Sequence, residues 1–317
     1  MAVYSPIIES ELLSLLEQYN IGSLVKFEGI LEGIENTNYE ITTSQNKYIL
    51  TIFEKRVESK DIPFFINLKK HLASKKFLCP KPVSDIQGKN INTLKNKSCV
   101  FVSFLNGKKV TNVKDTHCQQ VGEVLASLHL QTKDFNGKRL NSMSYIQWQN
   151  IFLKCKNHAN QDFIHMLPVI EEELSYLKNH WPNDLPSGIV HADVFQDNVF
   201  FQKDIFSGLI DFYFSCNDFL CYDIALTINA WCFNKQNIFN KNKYQALIKG
   251  YESQRKLTTE EKKYFSILLR GASIRILITR LHDQIFHQND AFVKPKDPNE
   301  YLAILKFHQR TNFREFF

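Results

Sequence analysis

Apolar residues recur with two different periods along the chain. Ile8, Leu12, Leu15, Leu16 and Tyr19 follow Ser5-Pro6 at helical spacing, which predicts a capped amphipathic helix beginning at the proline. From Val25 the period shortens. Residues 25–27, 39–42 and 48–53 are rich in β-branched and aromatic side chains and predict strands, with turns over 29–36 and at Ser44-Gln45-Asn46. Phe65, Leu68 and Leu72 share one stripe of a helix over 62–75. Cys79-Pro80-Lys81-Pro82 closes this segment, because a residue before proline avoids the α region. The unbroken apolar run 99–105 predicts a buried strand, and Asn106-Gly107 a turn after it. Beyond Asp115 the spacing is helical: Val121, Leu125 and Leu128, then Leu167, Ile170, Leu174, Leu177 and Trp181, then 222–232, 243–254 and 260–286. Only 188–214 breaks this pattern, alternating short apolar runs with polar turns. The expected fold class is α+β and bilobal, with a small β-rich N-terminal lobe over 1–105 and a larger, mainly helical C-terminal lobe over 106–317.

Composition narrows the class. Across 317 residues, 44% are hydrophobic and 23% charged, which excludes a disordered chain, a collagen-like repeat and a small disulfide-stapled scaffold. Lys and Arg number 39 against 33 Asp and Glu, a net +6, and no block of five basic residues occurs, so nucleic acid is not the expected partner. The apolar runs are too short to span a bilayer, and the first residues lack the basic and apolar regions of a signal peptide. Seven cysteines without a CxxC pair argue against zinc and against a disulfide framework. A cytoplasmic protein with no membrane partner is expected; oligomeric state is left open.

The chemistry concentrates in 189–212. Two apolar strands flank a polar loop carrying His191, Asp193 and Asn198, and Asp211 ends the next strand. So short a return lets Asn198 and Asp211 meet near Asp193. Phosphoryl transfer from a nucleotide needs such a set: one carboxylate to orient the acceptor hydroxyl and take its proton, and an amide oxygen and a second carboxylate to hold Mg²⁺ against the phosphates. A metal hydrolase would also use His and Asp, but the other histidines are scattered singly. His191 is expected to brace the loop, and Asp223 to cap a helix start.

The motif H-x-D-x-x-x-x-N followed by I-D-F resembles the catalytic and metal-binding loops of the protein-kinase-like fold, in the form used by the aminoglycoside phosphotransferase and choline kinase branch. Longer strings, Gly33-Ile34-Glu35-Asn36-Thr37-Asn38-Tyr39, Ile49-Leu50-Thr51-Ile52-Phe53-Glu54-Lys55-Arg56, His191 through Phe201 and Ile210 through Asp218, resemble the bacterial homoserine kinases of that branch. The resemblance runs from Ala2 to about His308. It implies ATP and Mg²⁺ as cofactors and L-homoserine as the small-molecule acceptor. Asp193 would then be the catalytic residue, and Asn198 and Asp211 the metal ligands. Choline, ethanolamine or an aminoglycoside remain alternative acceptors, and a non-catalytic nucleotide-binding relative is a further alternative.

The same order of elements places a phosphate loop at Gly33, Asn36, Thr37 and Asn38, and an adenine-binding hinge at Ser103 to Leu105, with Ser103 and Leu105 as the contacts. One departure stands out. Protein kinases pair a strand lysine with a helix glutamate, whereas here the strand slot is Thr51 and the 62–75 helix has no glutamate. Losing both together is coherent, since either alone would be a buried, uncompensated charge. Lys55 lies roughly 13 Å further along an extended strand, so the residue contacting the α- and β-phosphates is unassigned.

An amino-acid acceptor needs a cation for its carboxylate and an acidic or carbonyl group for its ammonium. Arg275 and Arg280 sit in an otherwise apolar helix, and Tyr213, Asn217 and Asp218 follow Asp211 directly. These five are the candidate acceptor residues. For the arginines, an internal ion pair to Asp218 or Asp223 and snorkelling to solvent are the alternatives.

Overall fold

A computed structural model describes residues 4–31, 36–54, 57–287 and 294–317. They group into two compact units. One comprises Met1–Gly107 with Phe135–Gly137 and Ser207–Tyr213. The other comprises Lys108–Asp134, Lys138–Phe206 and Phe214–Phe317.

In the first unit β1 (Leu24–Ile30), β2 (Thr37–Thr43), β3 (Lys47–Ile52), β4 (Asn92–Leu94) and β5 (Lys97–Ser103) form one antiparallel sheet in the order β1-β2-β3-β5-β4. Strand alternation assigns each residue a side. Tyr39, Ile41, Leu50, Cys99 and Phe101 pack with Leu12, Leu15 and Leu16 of α1 (Glu9–Leu16). Val100 and Val102 instead pack with Ile62 and Ile66 of α2 (Ile62–Ser74). A sheet covered on both faces explains why β5 reads as an unbroken apolar run. Helix α1 starts later than its sequence suggests. Glu11 Oε2 accepts from the Ile8 amide at 3.0 Å, so the cap forms there, while Ser5 is drawn off to donate to Glu54.

The second unit is mainly helical: α3 (Asp115–Gln131), α4 (Tyr145–His158), α5 (Leu167–His180), α6 (Leu220–Trp231), α7 (Lys241–Glu252), α8 (Thr259–Ile285) and α9 (Asn299–Arg310). Helix α6 is buried on nearly every face, as expected of a central helix that is apolar all round. Thr258 and Glu261 cap α8 reciprocally. Strand β6 (Ser187–Val190) pairs antiparallel with β9 (Cys216–Phe219), while β7 (Val199–Gln202) and β8 (Ile205–Leu209) form a hairpin. Its two-residue turn, Lys203-Asp204, has φ of 49° and 66°, the left-handed pair that fits strand twist. No helix among the described residues is long and apolar enough to cross a membrane.

Helices α3 and α7 meet backbone to backbone. A Cβ on Gly122 would stand 2.1 Å from the Leu247 carbonyl oxygen, and one on Gly250 2.0 Å from that of Gln119. Gly122→Ala and Gly250→Ala are each expected to cost about 1–3 kcal/mol by overpacking, measured as a lowered denaturation midpoint. A second expectation concerns acid. Asn229 donates to Leu269 O and Ser273 Oγ, so its Oδ1 accepts from His308 Nε2 at 2.7 Å, and burial holds the His308 imidazole down at about 3. The unfolded chain protonates this group at about 6.5. It therefore binds the extra proton between these values, and stability drains as pH falls through that window, by about 1.4 kcal/mol per pH unit from this residue. Denaturant titrations at pH 7.5 and 5.5 should show a shallower acid loss in His308→Gln than in the parent.

Candidate active site

Strand β6 runs directly into the polar loop, whose shape is imposed by its surroundings. Ala192 adopts φ 62°, a conformation that a residue with a Cβ holds only when its neighbours compel it. The compelling group is Asp223, in the first turn of α6. Its Oδ2 accepts the His191 amide at 2.7 Å and its Oδ1 the Ala192 amide at 2.8 Å. His129 Nε2 lies 3.2 Å from the same carboxylate, and His129 Nδ1 lies 2.8 Å from the Tyr251 hydroxyl, which accepts from Arg255 at 3.1 Å. Burial alone would raise the Asp223 carboxyl, but His129 and the loop amide of His191 outweigh it and hold it below its ordinary value. Asp223 is thus no helix cap. It braces the loop, the task expected of His191, whose main-chain amide it holds.

Two more side chains hold the loop's carbonyls: Arg275 Nη1 donates to Ala192 O at 2.8 Å and Trp231 Nε1 to Val194 O at 2.8 Å; the loop's own Gln196 Nε2 donates to Ala230 O of helix α6 at 2.9 Å. Within this frame Asn198 Nδ2 donates to both the main-chain oxygen and Oδ2 of Asp193, at 2.9 and 2.8 Å. Its amide hydrogens are committed, and its Oδ1 is left as a hard oxygen donor of the kind Mg²⁺ takes. Asp211, in the first unit, has φ 61°, again a left-handed residue with a side chain.

The phosphate-loop candidates are mostly engaged elsewhere. Gly33 lies outside the described residues. Thr37 is fully buried: its hydroxyl donates to Glu54 and accepts the amides of Tyr4 and Ser5. Lys97 completes that cluster by pairing with Glu54. Asn36 Oδ1 accepts the Glu54 amide, and Asn38 Oδ1 accepts from Thr51, the residue in the strand-lysine slot, at 2.7 Å. The side-chain oxygens of Asn36, Thr37 and Asn38 thus tie the strands together. Ser103 is likewise committed, its amide and hydroxyl both bonded to the Lys81 backbone. Leu105 packs close to Gly208.

Among the acceptor candidates, Tyr213 packs edge-on against Phe53 and Phe65, with the buried Lys69 ammonium 4.9 Å from its ring centre. Asn217 exchanges hydrogen bonds with the Arg139 backbone. Arg280 stacks on Tyr301 and is answered by Glu300 at 2.6 Å, an internal ion pair, though to neither Asp218 nor Asp223. Arg275 differs: it is 3% exposed and forms no ion pair among the described residues. Asp218 accepts from Asn141 at 2.6 Å and from the Phe219 amide, and burial pushes its carboxyl above its ordinary value despite these bonds.

The chain is similar to known proteins over nearly its whole length. The family model described as "Phosphotransferase enzyme family" matches residues 26–257. A curated homoserine kinase of Rhizobium meliloti (strain 1021) is 44% identical over 98% of this chain and 95% of its own length, and one of Agrobacterium fabrum is 44% identical over 98% and 96%. Among solved structures, the amicoumacin kinase hAmiN, in complex with AMP-PNP, Ca²⁺ and Ami, superposes with a TM-score of 0.75 at 17% identity, covering 98% of both chains. Choline kinase from Cryptosporidium parvum Iowa II gives 0.67 at 14% identity, covering 96% of this chain and 95% of that one. The fold is kinase-like, and the chain belongs to the phosphotransferase enzyme family.

Proposed function

We propose that this protein is a homoserine kinase, transferring the γ-phosphate of ATP to the side-chain hydroxyl of L-homoserine to give O-phospho-L-homoserine, an intermediate of threonine biosynthesis. The observation that carries the mechanism is the Asp193–Asn198 pair, fixed by a single amide on a loop braced from beneath. The substrate assignment rests on the 44% identity to curated homoserine kinases over 98% of the chain.

In this reading Asp193 accepts the hydroxyl proton as the oxygen attacks phosphorus, with its carboxylate already aimed by Asn198. Asn198 Oδ1 and Asp211 would hold Mg²⁺, which when bound neutralises charge on the phosphates. No cluster of three or more His, Cys, Asp or Glu side chains fit for a metal occurs among the described residues. Phosphate oxygens and water would therefore complete the shell, as Mg²⁺ usually requires. Arg275 is the cation proposed for the acceptor carboxylate, because a buried guanidinium without a carboxylate partner favours an anionic ligand. Leu105, rather than Ser103, is proposed to present its main chain to adenine. A cytoplasmic setting is supported by seven cysteines that are all free and buried.

An ADP-release assay with Mg-ATP should respond strongly to L-homoserine and little to choline, ethanolamine, L-serine or kanamycin; a stronger response to another acceptor would overturn the substrate assignment. Asp193→Asn should lower kcat at least about 100-fold, and Asp211→Ala should abolish turnover and weaken Mg-nucleotide binding. Asp223→Asn, which cannot accept both loop amides, should lower kcat and reduce stability by about 3 kcal/mol. Arg275→Met should raise KM for homoserine far more than for 3-aminopropanol, which lacks the carboxylate; an equal rise for both would remove Arg275 from the acceptor site.

A further inference from the structure

Residues 295–297 lead into α9 without regular structure of their own, yet side chains of α8 hold their main chain in place. Gln284 Nε2 donates to Pro295 O at 3.1 Å, and Arg280 Nη1 donates to Asp297 O at 3.0 Å while pairing with Glu300. Positions 280 and 284 are one turn apart on a single helix face, so the segment lies along α8 as a strap. Asp297 finishes it by accepting the Asn299 amide at 2.9 Å, at the start of α9. Lys296 stands between the two anchored carbonyls, so its backbone is fixed and its side chain is left to reach outward.

It reaches the reactive loop. Lys296 Nζ lies 3.4 Å from Asp197 Oδ2 and 5.7 Å from the centre of the Phe195 ring. Both partners belong to the turn that carries Asp193 and Asn198: the Phe195 amide donates to Asp193 O at 2.8 Å, and the Asn198 amide to Phe195 O at 3.0 Å. Stability does not account for the contact. The Lys296 and Asp197 side chains are 61% and 54% exposed, and ion pairs so open to water contribute little. Their separation is also long beside the roughly 2.7–2.9 Å of a closed charge-assisted hydrogen bond. Ordering a strap to deliver a loosely paired ammonium has a reason if that ammonium serves the chemistry of the loop.

Phosphoryl transfer brings a group with several anionic oxygens to the acceptor hydroxyl at Asp193, and a cation placed there acts on the charge of the transition state. A lysine ammonium is a compact charge on a flexible stem, so it exchanges one exposed carboxylate for a more highly charged phosphate. We propose that Lys296 is a catalytic cation, whose ammonium leaves Asp197 to bind an oxygen of the phosphoryl group in transit at Asp193 and returns when the product departs. The inference rests on the kinase reading and adds to it a residue held in place by a different element from those that brace the loop.

Lys296 is exposed enough to be acetylated, so its occupancy is readable in the parent chain without any substitution. Limited acetylation with acetic anhydride and peptide mass spectrometry would follow Lys296, with Lys306, exposed on α9, as the internal reference. Saturating Mg-AMP-PNP, which keeps a third phosphate, should remove most of the reactivity of Lys296 relative to Lys306, and Mg-ADP should leave it. Unchanged reactivity with Mg-AMP-PNP overturns the proposal, and so does protection by L-homoserine alone, which would move Lys296 to the acceptor carboxylate. In turnover, Lys296→Met should lower kcat at least about tenfold, by the same factor with L-homoserine and with 3-aminopropanol, because both receive the same phosphoryl group. Lys296→Arg should restore part of the loss. A lysine that merely braced the loop through its ion pair would make Asp197→Asn lose as much, whereas Asp197→Asn should stay well above Lys296→Met. A folded Lys296→Met with parental kcat, a loss confined to homoserine, or equal losses in the two variants overturns the proposal. A parent chain that turns over no homoserine counts against the kinase reading instead, and the acetylation pattern still tests Lys296.

Discussion

The shape of the candidate reactive loop depends on one buried carboxylate. Asp223 takes two successive main-chain amides, and only a loop turned through a left-handed residue at 192 can present both to one side chain. Burial makes the arrangement demanding, since an unsatisfied charge there would be costly. It also makes it effective, because hydrogen bonds to a carboxylate strengthen where water is excluded. The chain His129–Tyr251–Arg255 extends the support to the end of α7 and beyond, so the loop is anchored to the helical core on which it sits.

The elements whose signal is local were legible in the sequence. Helices α6, α7 and α8 fall within two residues of the stretches their apolar spacing predicts, and β5 within two residues of its apolar run. Short or weakly patterned elements were not: β4 spans three residues, and α9 lies beyond the last stripe the spacing picks out. Trp181, which continues the stripe of α5, falls just past its end as the C-cap.

The chemistry divides along the same line. Asp193 and Asn198 are five residues apart, and a motif can carry their relation. The roles of Asp223, Trp231 and Arg275 depend on tertiary contacts across 31 to 83 positions, which no local pattern encodes. Small polar residues near glycines carry two readings for a related reason. Asn36, Thr37 and Asn38 suit a phosphate loop, yet their side-chain oxygens equally suit tying one strand to the next, and here they do so. Arg280 carried the same ambiguity until Glu300, twenty residues on, was seen beside it.

The seven thiols offer an independent view of the molecule's internal motions. All are buried, two in the first unit and five in the second, and burial keeps Cys79, Cys99, Cys155, Cys216, Cys221 and Cys232 protonated well beyond neutral pH. An alkylating reagent can reach them only when the surrounding structure opens. The labelling rates of Cys79 and Cys99 therefore track breathing of the sheet, and those of the other five breathing of the helical core, so one reagent and a mass spectrometer resolve the two halves of a single chain without any engineered probe.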